Sequence, residues 1–395
     1  MNHIAFVIPG FIRIGGAERQ MVELAKGLQR RGWRVSVVAL SGPGGAEGAE
    51  LSQSGVAFLS LRMVKGLADP RGWLRFNRWA RQECPDVVHA HLPHAAWFAR
   101  WSRLAAPVRV LVDTLHSSST GTWGRKLGYR LSSWSPDLVT AVSRAAEETH
   151  LRTRMVTPGR VQVLPNGIDT RFWHPDLRVR ATIRRELGLL DEFLWVAAGR
   201  LDPVKDHASL LRAFALLPGT ARLVVAGDGP LQAELRRQSA GLGLEQRVRF
   251  LGFEPNVRRW FQAADALVLS SRWEGLPMVV LEAAACCVPA VATDVPGTRE
   301  ALRDGETGLL AAAGDVSALR DAMLQMTESS REQRRAMGLR ARQMVLDHFS
   351  LEAVLDRWEE LYLNLLEHSP LPARSASHTS VIQPLHKEIR SNRLY

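Results

Sequence analysis

The sequence predicts an α/β protein made of two doubly wound domains that face one another across a cleft. Three observations carry that expectation. Short runs rich in Val, Ile and Leu recur along the chain, and several lack in/out alternation, as strands buried on both faces of a parallel sheet do. Helical stretches separate these runs. The whole alternation occurs twice, with a break at PNGIDTRFWHP (165–175), where two prolines and an Asn-Gly interrupt regular structure. A length of 395 residues also suits two domains, at roughly 100–200 residues each.

In the first half the expected strands are IAFVI (4–8), RVSVVAL (34–40), VAFLSL (56–61), DVVHAH (86–91), VRVLVDTLH (108–116), DLVTAVS (137–143) and RVQVLP (160–165). Helical stretches lie between them, among them 17–31 and 93–104. The second half repeats the plan with FLWVAAGRL (193–201), ARLVVAGDG (221–229), RVRFLGF (247–253), ALVLSS (266–271) and PAVATDV (289–295). Two long helices are expected at 331–347 and 351–366. The last carries Leu351, Val354, Leu355, Trp358, Leu361, Tyr362 and Leu365 on one stripe. The expected organisation is therefore a Rossmann-like domain over 1–170, a second over 171–350, a helix at 351–369 that packs back on the first, and a loose polar tail at 370–395.

Composition narrows the function. No run approaches the roughly 18 apolar residues of a membrane span. The opening MNHIAFVIPGF lacks a charged leader region and a small-residue cleavage site, so it reads as a first buried strand. Three cysteines, two of them adjacent, form neither a disulfide framework nor a zinc spacing, which suits a reduced cytoplasmic protein. The net charge of +11 is lopsided: residues 1–175 hold 23 Lys and Arg against 12 Asp and Glu, and the remainder balances at 28 each. An anionic surface is therefore a partner for the first half only.

Several stretches carry chemistry. In PGFIRIGGAERQMVEL (9–24), Gly15 and Gly16 open a helix whose free N–H groups and dipole suit a diphosphate, although a plain strand-to-helix turn would look the same. A strict GxGxxG is missing, which counts against a dinucleotide site and a dehydrogenase. GRLDPVKDH (199–207) places Arg200 and Lys205 at a strand's carboxyl end, where open α/β sheets bind ligands. Two cations there can neutralise a leaving diphosphate, and no DxD metal motif occurs. AGDGPLQAEL (226–235) reads as a tight turn through Gly227, with Asp228 capping a helix that begins at Pro230.

SSRWEGLPMVVLEAAA (270–285) is the most informative. Glu274 lies in a loop, Pro277 starts a helix, and Glu282 falls in its second turn, seven residues intervening. Paired acids can grip a pair of ribose hydroxyls or stabilise positive charge at a sugar carbon. In ATDVPGTRE (292–300) a helix is expected from Thr298, with Glu300 either a first-turn acid or a ligand group. His89, His91 and His94 cluster after one strand without an acidic partner, so a metal is not expected. His116 ends the next strand and is the better site candidate, able to donate to a sugar hydroxyl. A basic, aromatic belt spans RGWLRFNRWAR (71–81), WFARWSRL (97–104) and TWGRKLGYRLSSW (123–134). Residues 62–135 hold 12 cations and 4 anions, a composition suited to an anionic bilayer surface; the tryptophans could equally be core. Nothing resembles a nucleic-acid platform.

Together these residues resemble the retaining glycosyltransferases of family 4, which have the GT-B fold. The likeness runs over residues 4–367, through GGAE, PNGID, GRLDPVK, VVAGDGP, VRFLGF and EGLPMVVLE in that order. It implies a hexosyl or N-acetylhexosaminyl transfer from a nucleoside diphosphate-sugar to a glycan or lipid-linked acceptor. That places the chain in surface polysaccharide, lipopolysaccharide or lipid-linked oligosaccharide assembly, at the inner face of the cytoplasmic membrane. By resemblance Gly15 and Gly16 touch the donor phosphate, Arg200 and Lys205 hold the diphosphate, and Glu282 binds the ribose. Glu274 meets the transferred sugar, Gly227, Gly275 and Leu276 lie at the donor, the backbone around Phe253 meets the base and His116 faces the sugar. No metal is required, and Pro296-Gly297 departs from the two glycines of many relatives. A nucleotide-sugar epimerase of the same fold and a non-catalytic binding protein are the alternatives.

Overall fold

A computed structural model describes residues 1–11, 15–64, 69–106, 108–116 and 123–369. Among these, two parallel sheets form. The first contains β1 (His3–Ile8), β2 (Arg34–Ala39), β3 (Ala57–Ser60), β4 (Val87–His91), β5 (Val110–Leu115), β6 (Leu138–Ala141) and β7 (Val161–Val163), in spatial order 3-2-1-4-5-6-7. The second contains β8 (Leu194–Ala198), β9 (Arg222–Ala226), β10 (Val248–Gly252), β11 (Ala266–Leu269), β12 (Ala290–Asp294) and β13 (Gly308–Ala312), in order 10-9-8-11-12-13. Every residue of β1, β4, β5 and β11 is buried, as expected for strands covered on both faces.

Helices cover the sheets. Around the first lie α1 (Gly16–Arg30), α2 (Gly45–Gln53), α3 (Pro70–Glu83), α4 (Pro93–Ser102), α5 (Trp123–Leu131) and α6 (Arg144–Arg152). Around the second lie α7 (Leu177–Glu186), α8 (His207–Ala215), α9 (Gln232–Gly241), α10 (Arg258–Ala263), α11 (Met278–Ala285), α12 (Pro296–Ala301), α13 (Val316–Glu328) and α14 (Arg331–His348). The last helix, α15 (Leu351–His368), returns to the first sheet. Caps fix many starts: Ser143, Asp176, Asp206, Asp315, Ser330 and Ser350 each accept a first-turn amide.

The chain passes between the sheets twice, and the passages are bonded to each other. The Ile168 amide donates to the Phe349 carbonyl at 2.7 Å, and the Leu351 amide donates to the Ile168 carbonyl at 2.8 Å. From there α15 buries Leu351, Val354, Leu355, Trp358, Tyr362 and Leu366 in the core of the first sheet. Leu355 fills the space left by the missing side chain of Gly27, where a Cβ would stand 2.5 Å from its Cδ1. Trp33 Nε1 donates to Glu359 at 2.8 Å, and Arg31 reaches Asp356 at 2.7 Å.

A buried ion pair seats the outer helices of this half. Arg100 of α4 donates through Nε to Asp113 of β5 at 2.6 Å and through Nη1 to Ser132 Oγ at 3.2 Å, and it stacks on the Tyr129 ring of α5 at 4.5 Å. Burial raises the Asp113 pKa in spite of that guanidinium, so this carboxylate depends on its partner to stay charged.

Three expectations need correction. Asp228 does not cap a helix and Pro230 is not helical: α9 starts at Gln232. The intervening residues are held elsewhere, since the Leu201 amide donates to the Asp228 carbonyl and the Leu231 amide donates to the Leu201 carbonyl. The helix expected from Thr298 starts at Pro296, with proline in its first turn where no amide is needed. The strand β13, GLLAA, was not anticipated. The belt also divides: Phe76 of α3 and Tyr129 of α5 are buried, and Trp79 and Phe98 pack beside Phe76, whereas Trp97 and Trp101 of α4 and Trp123, Leu127 and Leu131 of α5 are exposed. The tail expected at 370–395 lies outside the described residues.

Leu355→Ala should lower the unfolding free energy by about 2–5 kcal/mol, because the hollow against Gly27 cannot collapse. Urea unfolding followed by tryptophan fluorescence measures it, and a loss under about 0.5 kcal/mol would contradict the packing described.

Candidate active site

In each sheet the direction of winding reverses once, between β1 and β4 and between β8 and β11. Crevices open at such reversals, outside the carboxyl ends of the strands. The loop after β8 carries Arg200 and Lys205, and the loop after β11 carries Glu274, Gly275 and Leu276. The two loops are stitched together. Ser270 Oγ donates to the Lys205 carbonyl at 2.8 Å, the Arg272 amide donates to the Val204 carbonyl at 2.8 Å, and Arg272 Nε reaches Asp206 at 3.1 Å. Upon this frame Lys205 Nζ meets Glu274 Oε1 at 2.5 Å, with both side chains largely shielded.

Arg200 stands apart from that pair. Its side chain is exposed, and among the described residues it forms an ion pair with Asp202 alone, at 3.5 Å. The loops tolerate no extra bulk. A Cβ on Gly227, at φ +145°, would lie 1.9 Å from the Gly199 carbonyl oxygen. A Cβ on Gly297 would lie 2.4 Å from the Gly275 carbonyl and 2.6 Å from that of Glu274. Gly297 is thus required by the Glu274 loop itself. Phe253 follows β10 at the same edge and is exposed.

The first half closes the site from the opposite side. The start of α1 abuts the start of α11: a Cβ on Gly16 would touch Met278 Cγ at 3.4 Å, and Asn166 Nδ2 lies 3.4 Å from Met278 Sδ. Gly15 is the N-cap of α1, and its amide donates to Glu18 at 3.1 Å. Glu282 sits in the second turn of α11, half-buried. Burial pushes its carboxyl up to about 7, with the Arg19 charge pulling the other way. Met278 and Val279 pack only partly into the core, and Leu281 fully.

Glu300 plays neither of the parts the sequence suggests. From α12 it accepts the Arg144 amide at 2.9 Å and the Ala145 amide at 3.0 Å, so it caps α6 of the other half. A first-turn acid carries no sign of a partner 155 residues away.

His89, His91 and His116 converge at the carboxyl ends of β4 and β5. His91 Nδ1 lies 2.8 Å from His116 Nε2, and the rings stack. Burial lowers the His116 pKa to about 4 and takes His89 and His91 well below their usual value. All three are neutral at ordinary pH. The serines after His116 lie outside the described residues. Among those described, no three His, Cys, Asp or Glu side chains form a metal-binding group.

Known proteins match this architecture. The family model for glycosyltransferase family 4 covers residues 14–172, and that for glycosyl transferases group 1 covers residues 179–344. The N-acetyl-alpha-D-glucosaminyl L-malate synthase of Bacillus anthracis is 30% identical over 298 residues, spanning 73% of this chain and 77% of that one. A UDP-Gal:alpha-D-GlcNAc-diphosphoundecaprenol alpha-1,3-galactosyltransferase of Escherichia coli is 24% identical over 320 residues, 77% of this chain and 82% of that one. Among solved structures, HepE of Anabaena in complex with UDP superposes with a TM-score of 0.81 at 23% identity, over 92% of this chain and 100% of that one. The family models and these relatives make the chain a glycosyltransferase, and its two sheets give it GT-B architecture. This chain belongs to glycosyltransferase family 4.

The raised Glu282 has a consequence for stability. Between its ordinary 4.5 and about 7 the folded protein keeps a proton there that the unfolded chain releases, so stability falls as pH rises through that window. Glu282→Gln should flatten that part of the profile, read as melting temperature against pH. A difference between wild type and variant that does not change from pH 4.5 to 7 would refute the shift.

Proposed function

We propose that the chain transfers a hexosyl or N-acetylhexosaminyl group from a nucleoside diphosphate-sugar to a glycan or lipid-linked acceptor, with retention at the anomeric carbon and without a metal. One observation carries the reading: Lys205 and Glu274 are paired at 2.5 Å where the second sheet reverses, opposite the start of α1. A cation and an acid held side by side suit a donor that is anionic at its diphosphate and hydroxylated at its sugar.

In this reading Lys205 and Arg200 take the diphosphate. Gly15 and Gly16 admit it to the amides of α1, and Gly227 keeps the neighbouring loop close. Glu282 binds the ribose, Phe253 meets the base, and Glu274, Gly275 and Leu276 hold the sugar with His116 across from them. The bond from the anomeric carbon to the phosphate oxygen breaks, and its electron pair leaves with the phosphate. The acceptor hydroxyl bonds to the same face of that carbon, and its proton passes to the departing phosphate oxygen. Lys205 stabilises the charge that grows on the phosphate, a fixed electrostatic contribution that requires no reorganisation at the moment of reaction.

Lys205→Ala should lower kcat about 100- to 1,000-fold, the usual cost of removing one such group, while the melting temperature stays within a few degrees. Turnover within threefold of wild type would reject the assignment. Release of sugar onto an acceptor, as opposed to its inversion on the nucleotide, separates transfer from epimerisation. Protection against thermal unfolding by UDP-, GDP- and ADP-sugars identifies the base.

A lipid-linked acceptor is supported by the outer face of the first half. Trp97, Trp101 and Leu104 lie on one side of α4, and Trp123, Leu127, Leu131 and Trp134 lie on one side of α5 and its extension, all exposed. Trp97 rests against Gly128, which joins the two rows into one apolar stripe flanked by Lys126 and Arg130. Among the described residues no helix is long and apolar enough to cross a membrane. The stripe and the surplus positive charge of residues 1–175 suit an anionic bilayer surface at the cytoplasmic face of the membrane. Flotation with phosphatidylglycerol vesicles should show binding that weakens with salt and falls in a Trp123→Ser, Trp134→Ser double variant. Binding indifferent to salt, lipid charge and both tryptophans would refute it.

A further inference from the structure

The two halves touch on both flanks of the candidate site. On one flank the start of α1 lies against α11, through Gly16 and Met278. On the other, α12 reaches the start of α6 through Glu300. In sheet order β4 and β5 lie between β1 and β6. His91 ends β4 and His116 follows β5, so both fall between the two contacts.

The Glu300 contact is built from two kinds of interaction. Ser143, the N-cap of α6, accepts the Ala146 amide at 3.1 Å. The two preceding amides are met by Glu300, one by each carboxylate oxygen: Arg144 at 2.9 Å and Ala145 at 3.0 Å. The negative charge also faces the positive end of the helix dipole. Only glutamate fits this arrangement in full. Glutamine would turn an NH2 group towards one of the two amides, and aspartate is a methylene too short. Beside these bonds Val142 is buried, in the same apolar cluster as Leu276 and Ala301 of the second half.

Both sides of the contact are tied to the candidate site. In the first half the Val142 amide donates to the Leu115 carbonyl at 3.2 Å, and His116 is the next residue. In the second half Glu300 and Gly297 share the six-residue α12. Gly297 packs so closely under the loop after β11 that a Cβ there would stand 2.6 Å from the Glu274 carbonyl oxygen. We propose that Glu300 is a positioning residue for the transfer reaction: by holding α12 on α6 it sets the width of the cleft between His116 and Glu274. A displacement of about 1 Å at such a place can cost about 100-fold in rate. This role rests on the proposed placement of His116 and Glu274 at the transferred sugar. It differs from mere stabilisation in what it spares. Arg200, Lys205, Phe253 and Glu282 all belong to the second half, and α1 keeps its own contact with Met278, so losing Glu300 leaves the groups assigned to the donor in place.

In the full chain, Glu300→Ala should lower kcat about 10- to 100-fold while the donor KM stays within about threefold. Glu300→Gln, which keeps one of the two bonds, should fall between wild type and the Ala variant, and it makes the same test should Glu300→Ala fail to fold by circular dichroism. Nitroxide labels on Glu148→Cys of α6 and Ser317→Cys of α13, both exposed positions, read the separation of the halves by electron spin resonance once Cys84 and Cys287 are replaced by serine. Glu300→Ala should lengthen or broaden that distance. An unchanged distance would show that Glu300 does not hold the halves together. A variant that melts earlier but turns over as fast as wild type would reduce Glu300 to a helix cap, and either result overturns the proposal. Full turnover by His116→Ala would instead overturn the placement of His116 at the sugar, and the label distance would still judge the contact by itself.

Discussion

The pair of hydrogen bonds that lashes one inter-sheet passage to the other governs this molecule. Each bond contributes only about 1 kcal/mol net, but their position matters more than their strength. Ile168 is held between Phe349 and Leu351, so the chain that leaves the second sheet is delivered to the back of the first. There α15 adds Trp358 and Tyr362 to a core it does not share in sequence, and each large side chain contributes roughly 1.5–3 kcal/mol by leaving water. The two halves are therefore coupled in folding as well as in function. The same passage carries Gly167, whose amide donates to Gln20 of α1 at 3.1 Å, and Asn166, which reaches Met278 of α11. The starts of those two helices, one from each half, meet beside it.

Charges in the site are held before any substrate arrives. Asp202 accepts the amides of Val204 and Lys205 at 3.1 and 3.3 Å and shapes the turn, while Asp206 caps α8 and receives Arg272. Lys205 and Glu274 then project from loops that cannot drift apart. Glu282 differs: it is a carboxyl whose surroundings favour the neutral acid, with only the distant Arg19 charge favouring the anion. A ligand offering two hydroxyl donors would supply the hydrogen bonds that stabilise the ionised form.

Most of the architecture is readable because buried parallel strands show as short runs rich in Val, Ile and Leu, and twelve of the described strands fall within the runs expected. β13 escaped because Gly308-Leu-Leu-Ala-Ala has no β-branched residue and starts on glycine. The Asp228 turn departs from the expected cap because capping chemistry is local, whereas the backbone there is bonded to Leu201. At the site, the residues were legible but their partners were not. Lys205 and Glu274 stand 69 positions apart, and Tyr362 and His89 stand 273 apart. Nothing in a spacing pattern encodes such meetings; they follow from sheet order. The tryptophans of α3, α4 and α5 share one composition, and only helical phase decides which of them face water.

The contact of Leu355 with Gly27 bears on more than stability. Its methyl groups occupy a notch one residue wide, so α15 behaves like a shaft held by a detent. A slip by a single residue would advance the helix about 1.5 Å along its axis and turn it by more than a quarter revolution. The Tyr362 oxygen, 2.7 Å from His89 Nδ1, would be carried out of hydrogen-bonding range, and the buried series from Tyr362 through His89 and Thr114 to Thr140 would lose its first member. The absence of a single side chain on α1 thus sets where a phenol lies two turns further along α15, and with it whether a buried imidazole keeps its hydrogen-bond partner.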